Sequence, residues 1–226
     1  MTASRVNQTA RATLTTLAPR LLAVVAWFGV TLQLWLSIGL ATANGAPAAR
    51  GVIAFLGYFT VLTNILVAMV CTAGSFRPRA ALYSGHMVGV ATAAALIVGA
   101  GYHLLLREIW DPQGAQWVAD VVMHYVVPAG AFLHWLVFRP DRQLRWWAPL
   151  SWCWYPLAYF AYVMVRGEWL GSYPYPFIDV LALGYRQAMV NASGLLMGFV
   201  VLGYALLWLQ TPYAEVSARA RPVEPG

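Results

Sequence analysis

From Val52 to Cys71 the chain runs without a single charged side chain. Such a stretch has no polar face to offer water, and an α-helix of about 20 residues matches the roughly 30 Å hydrocarbon layer of a bilayer. In lipid each backbone N–H and C=O must find its partner inside the protein, so a run like this is expected to cross as a helix. Similar runs recur along the 226 residues, of which 61% are hydrophobic and only 10% charged. A soluble domain carries roughly 25% charged residues. With a mean hydropathy of +0.63, the expected class is an all-α, polytopic membrane protein.

Turn chemistry cuts the apolar runs apart. Asn44-Gly-Ala-Pro47, Arg77-Pro78, Asp111-Pro-Gln-Gly114, Arg139-Pro-Asp141 and Tyr173-Pro-Tyr-Pro176 leave six spans, expected near residues 21–41, 52–73, 80–106, 118–138, 148–165 and 185–209. The domain reading is therefore an amino-terminal segment over 1–20, a six-helix transmembrane domain over 21–209 and a tail over 210–226, disordered where Pro, Arg and Ala dominate from Ser217. The basic start followed by an apolar run resembles a signal peptide. However, Leu21 to Leu40 is longer than the roughly 7–15 residues of such a segment and reads as a retained first helix.

All fourteen basic residues are arginine. Without a lysine no retinal Schiff base can form. Ten arginines fall on one side of the expected topology: Arg5, Arg11, Arg20, Arg77, Arg79, Arg139, Arg142, Arg145, Arg219 and Arg221. Only Arg50, Arg107, Arg166 and Arg186 fall on the other. The positive-inside rule then makes both termini cytoplasmic. It also explains the net charge of +6 as membrane topology, with no nucleic-acid partner implied. The richness in Ala, Arg and Trp points to a genome of high GC content, and so to a bacterial inner membrane. Trp146, Trp147, Trp152 and Trp154 are expected in an inner aromatic belt, and Trp110, Trp117 and Trp169 in an outer one. Gly85-xxx-Gly89 and Gly194-xxx-Gly198 suit close helix packing. Cys71 and Cys153 lie in separate apolar runs without metal-ligand spacing, so neither a disulfide framework nor a metal is implied.

Polar groups inside such helices are expensive, and their shared depth marks a candidate site. With this orientation Thr60 lies about eight residues, or roughly 12 Å, below the outer surface, and His124 about six residues, or roughly 9 Å. Gln187 and Asn191 enter from the outer end of the sixth span, while Gln33 and Ser37 sit near the outer end of the first. His103 is a second outer imidazole. Asp120 precedes His124 by four residues and so shares its helical face. It either orients the imidazole or is simply solvated at the helix mouth. Thr63 is expected to bond to its own helix one turn back, and His86 and His134 to bridge helices. No G-x-S-x-G, H-E-x-x-H or P-loop occurs. What remains is a hydroxyl and an imidazole in apolar surroundings, which suits attack on an ester with the histidine taking the hydroxyl proton.

Tyr58-Phe-Thr60, Met123-His124 with Val126-Val-Pro128, and Tyr173-Pro-Tyr-Pro-Phe-Ile-Asp179 resemble the androgen-induced and androgen-dependent family of six-helix membrane proteins and its bacterial relatives. The resemblance covers roughly residues 51–209. It implies hydrolysis of fatty acid esters of hydroxy fatty acids, with Thr60 as nucleophile and His124 as general base, no cofactor, and membrane lipids and a hydrophobic ester as partners. Asp120, Asn64, Asn191, Gln187 and His103 are then candidates to orient groups or line a cavity. Tyr173, Tyr175, Phe177 and Asp179 form an entrance loop on the same side. The competing expectations are a small-molecule carrier, and a structural protein whose polar groups only join helices.

Overall fold

A computed structural model describes the backbone of residues 3–137 and 144–219, and the side chains of residues 17–137 and 144–210. Among the described residues every regular element is helical. Among the same described residues, five helices are long and apolar enough to cross a membrane: Leu17–Ala43, Phe59–Phe76, Gly85–Leu106, Ala115–Val137 and Val180–Gln210. Arg139 and Arg142 of the fourth loop, and Arg5, Arg11, Arg219 and Arg221 of the termini, have side chains outside the described set.

Helix α1 (Ala3–Ala43) begins well before the expected residue 21 and runs through Pro19. Hydropathy marks where a chain enters lipid, whereas helical hydrogen bonding need not stop at that boundary. The expected single helix over 52–73 is two helices, α2 (Ala48–Leu56) and α3 (Phe59–Phe76), parted at Gly57 and Tyr58. Tyr58 is extended, with φ −89° and ψ 130°. Such a break exposes carbonyls at the end of α2 and amides at the start of α3. The first set is satisfied by side chains of the helix over residues 154–170.

α4 (Gly85–Gly101) opens on Ser84, whose hydroxyl accepts from the Met87 amide at 3.3 Å, and ends in a π turn over Tyr102–Leu106. The next span joins α5 (Ala115–Val121), a second π turn over Val122–Val126 and α6 (Val127–Val137). Pro128 has no N–H to return to the His124 carbonyl, and this oxygen instead faces Gly99, where an added Cβ would stand 3.0 Å from it. The expected span over 148–165 is divided into α7 (Ala148–Trp152) and α8 (Trp154–Leu170). Here Pro156 withholds the amide that would bond the Trp152 carbonyl. α9 (Val180–Arg219) kinks at Gly184, whose φ of 73° and ψ of 159° suit only glycine, and then runs straight from residue 185. It continues through ten residues expected in the tail; residues 220–226 lie outside the described set.

α4 is the central post. Val90, Ala91, Ala93, Ala94 and Ala95 are buried in one cluster with Val67 and Val70 of α3, Trp135 of α6, and Phe199 and Leu206 of α9. Small side chains around the whole circumference let neighbours approach α4 on every side. Trp152 corrects the expected inner belt: it is wholly buried, packed edge-on to Trp135 with ring centroids 6.0 Å apart, and its ring fills the space Gly89 leaves. Trp146, Trp147 and Trp154, and Trp110, Trp117 and Trp169, are exposed as the belts require. Of the other glycine pair, a Cβ added at Gly198 would stand 3.4 Å from Ile97, whereas one at Gly194 would meet nothing within 4 Å.

Candidate functional site

The break between α2 and α3 is stitched by one face of α8. Tyr159 donates to the Gly57 carbonyl at 3.0 Å, Tyr162 to Leu56 at 3.3 Å, and Arg166 to Ile53 at 3.3 Å. A cation at the carboxyl end of α2 also suits its dipole. Non-helical backbone in an apolar segment is tolerable where other protein groups satisfy its hydrogen bonds, as these three side chains do. The consequence for chemistry is positional. Thr60 is not deep in a continuous helix but in the first turn of α3, where backbone amides still lack intrahelical partners.

Thr60 Oγ1 lies 3.3 Å from His124 Nε2. On the other side of the imidazole, Nδ1 is 3.0 Å from the Asp120 carbonyl oxygen and 3.3 Å from Asp120 Oδ1. Both are acceptors, so Nδ1 carries the proton and Nε2 presents its lone pair to the threonine hydroxyl. Asp120 is buried, which removes the alternative of a carboxylate solvated at a helix mouth. The Tyr102 ring stacks on the imidazole at 4.0 Å and 18°. His124 and Tyr102 each sit in a π turn, an arrangement that re-aims side chains relative to the regular helix.

Thr60 also meets the loop before α9. Its amide donates to the Tyr175 oxygen at 3.3 Å, and Oγ1 lies 3.4 Å from the same phenol. Tyr175 stacks on Phe177 at 5.1 Å and 9° and meets Tyr58 edge-on at 5.7 Å. The loop is fastened at three points. The Asp179 carboxylate accepts from the Leu181 amide at 2.9 Å, Asn191 donates to the Phe177 carbonyl at 2.8 Å, and Tyr173 donates to Glu168 at 2.9 Å. The Tyr173 ring lies over Gly167, where a side chain would collide with it.

Thr60 lines a cavity of about 180 Å³. Its walls are apolar: Phe59 from α3, Ile97 and Gly101 from α4, Leu157 and Phe160 from α8, Phe177 from the loop, and Met189, Leu196 and Phe199 from α9. Leu157 of α8 and Met189 of α9 line it and are half exposed on the outside of the bundle, so the cavity wall includes residues of the bundle surface. Ser193 lies on this wall but spends its hydroxyl on the Met189 carbonyl at 2.8 Å.

The expected polar convergence is thus partly separated by the structure. Asn64 does not line the cavity; its amide donates to the Thr60 carbonyl at 2.8 Å and the Met123 carbonyl at 3.3 Å, bridging the two segments that carry the pair. Gln187 donates to Asn191 at 2.9 Å, and Asn191 in turn holds the loop through the Phe177 carbonyl. His103 points elsewhere, to Tyr125 at 3.3 Å. Gln33 and Ser37 form a network with Gln116 between α1 and α5. Thr63 bonds not to its own helix but to the Tyr155 hydroxyl of α8 at 3.3 Å. His134 meets the Tyr83 hydroxyl at 3.1 Å, joining two segments as expected. Tyr102, Tyr159 and Arg166 have structural roles at the site that sequence spacing concealed, although Tyr159, Tyr162 and Arg166 do recur on one helical face.

Comparison with protein-family models, with curated proteins and with solved structures finds no match.

Proposed function

We propose that this protein is an intramembrane threonine-type hydrolase of long-chain lipid esters, of the kind exemplified by fatty acid esters of hydroxy fatty acids. The observation that carries the reading is the Thr60 Oγ1 to His124 Nε2 approach of 3.3 Å at the wall of an apolar cavity. In this scheme an ester slides in sideways between α8 and α9 and places its acyl chain in the cavity. Thr60 Oγ attacks the carbonyl carbon as its proton passes to His124 Nε2. Collapse of the tetrahedral adduct breaks the ester C–O bond, and His124 returns the proton to the departing alcohol. A water molecule, deprotonated by the same imidazole, then attacks the threonine ester. The products are the free acid, the alcohol and the regenerated hydroxyl. Asp120 holds the imidazole and balances its transient charge.

The same reading places α7 and α8 together as a sixth crossing, both termini in the cytoplasm and the site in the outer half of a bacterial inner membrane. The arginine distribution supports this topology. The motif resemblance to the androgen-induced and androgen-dependent family supports the choice of pair, since its threonine and histidine correspond to Thr60 and His124.

The test is hydrolysis of a fatty acid ester of a hydroxy fatty acid by protein in lipid nanodiscs. Thr60→Ala and His124→Gln should each lower kcat by at least about a hundredfold, with thermal melting unchanged. Wild-type protein that cleaves no long-chain ester, or a Thr60→Ala variant that keeps full activity, would remove this reading. Ester-independent uptake into proteoliposomes that survives loss of His124 would favour a carrier instead.

A further inference from the structure

We propose that Tyr175 is the oxyanion donor of this ester cleavage, an assignment that rests on the hydrolase reading above. An acyl transfer needs a fixed hydrogen-bond donor where negative charge develops on the carbonyl oxygen. The Tyr175 oxygen stands 3.4 Å from the nucleophilic Oγ1 and accepts from the Thr60 amide at 3.3 Å. Accepting from that amide leaves the phenolic hydrogen free to point at the hydroxyl at rest. It also polarises the O–H and fixes its oxygen at the amino end of α3. Once Oγ1 is bonded to the carbonyl carbon, the oxyanion is attached to that same carbon and falls within reach of the phenol.

Other side-chain donors on the segments that carry Thr60 and the cavity wall are committed elsewhere. Asn64 gives its amide protons to the Thr60 and Met123 carbonyls, Asn191 donates to Phe177, Ser193 to Met189 and Tyr159 to Gly57. Tyr175 is also held as an oxyanion donor must be: it is buried, stacked on Phe177, braced by Tyr58, and carried on a loop fastened by Asp179 and Asn191. Such preorganisation avoids reorientation at the moment charge forms.

The proton count is unchanged by this role. The Thr60 proton goes to His124, the carbonyl π pair moves onto oxygen, and Tyr175 donates a hydrogen bond to that oxygen while keeping its own proton. When the adduct collapses, the pair re-forms C=O, the ester C–O bond breaks and His124 protonates the alkoxide.

The decisive measurement is Tyr175→Phe, which deletes only the hydroxyl. In nanodiscs kcat should fall about 10²–10³-fold with KM within about twofold. Binding of a long-chain alkyl boronic acid, which forms a tetrahedral adduct on a hydroxyl, should weaken comparably, and binding of the free fatty acid should not change. A folded Tyr175→Phe variant with kcat within about threefold of wild type, while Thr60→Ala is inactive, overturns the Tyr175 role and leaves the hydrolase intact. Retained hydrolysis in Thr60→Ala, or none in wild type, overturns both. Should Tyr175→Phe melt early, 3-fluorotyrosine at position 175 keeps the shape with a more acidic phenol. Its kcat should hold or rise, and a fall of about tenfold overturns the proposal.

Discussion

Thr60 and Thr63 lie less than one helical turn apart on α3 yet reach different helices: Thr60 Oγ1 meets His124 at 3.3 Å, and Thr63 Oγ1 meets Tyr155 of α8 at 3.3 Å. The two hydroxyls are chemically alike and both buried. Their partners separate them, since an imidazole can take a proton at neutral pH and a phenol cannot.

This difference sets up a paired prediction. Thr60→Val should abolish ester hydrolysis, at least about a hundredfold in kcat, with little effect on melting. Thr63→Val should keep kcat within about threefold and cost about 1 kcal/mol of stability, the usual size of one interhelical hydrogen bond in a membrane. Rates and melting curves on the same nanodisc preparations check both. Equal loss of activity in the two variants would show that the hydroxyls are not distinguished by their partners.

Much of this arrangement could be read from the chain, because hydropathy and arginine placement act over whole helices. Long apolar runs fix where helices must be, and an exposed Trp169 or Trp117 follows from the same logic. What escaped was local. Gly57 looked like one more small residue in an apolar run, but the stretch breaks there because Tyr159, Tyr162 and Arg166, a hundred residues later, supply donors for the loose carbonyls. No periodicity within 52–73 contains that information. Thr63 is a similar case: the local carbonyl is the only acceptor visible in sequence, whereas its partner is the Tyr155 hydroxyl of α8. His124 stands out in sequence by Asp120 four residues before it, whereas the partner of His103, Tyr125, leaves no mark in hydropathy.

A second prediction concerns the contact between α1 and α2. A Cβ added at Gly51 would stand 2.6 Å from the Ser37 carbonyl oxygen and 2.7 Å from the Ile38 Cα. Both are backbone atoms, so neither can swing aside and the two helices must separate. Gly51→Ala should cost about 1–3 kcal/mol. Gly39→Ala, on the same helix as Ser37 but with no atom within 4 Å of the new methyl, should instead stabilise by roughly 0.5–1 kcal/mol. Thermal unfolding in one detergent would reveal the opposite signs, and two changes of the same sign would refute the contact.

The cavity makes a third. Gly101 lines it, and a Cβ there meets nothing within 4 Å. Gly101→Leu adds its side chain to an apolar space of about 180 Å³ with no backbone strain. Each methylene of bound acyl chain is worth about 0.8 kcal/mol, so displacing two or three of them should lower kcat/KM for a long-chain ester by at least about tenfold. A short-chain ester should be cleaved as before. Equal effects on both chain lengths would place the acyl group somewhere other than this cavity.

A last prediction turns on the clamp at the outer end of α8. The Glu168 carboxylate accepts from the Tyr185 hydroxyl at 2.6 Å and from Tyr173 at 2.9 Å. These bonds, Tyr185 first, hold its pKa below the ordinary 4.5. Burial and then the Glu168 bond push Tyr173 from 10 up to about 12. The signs are opposite. A lowered carboxylate contributes stability above about 4.5 that is lost as pH falls through its folded-state value, whereas a raised phenol contributes below 10 and is lost as pH climbs toward 12. Fastening of the loop should therefore be level from about pH 5 to 10 and weaken on both flanks. Hydrogen exchange of residues 171–179 would follow it, since loosening raises the rate at the loop amides. Glu168→Gln removes the acid flank while Tyr173, no longer beside a carboxylate, loosens earlier on the alkaline side. An acid flank that persists in Glu168→Gln would overturn the assignment of the acid-sensitive fastening to Glu168.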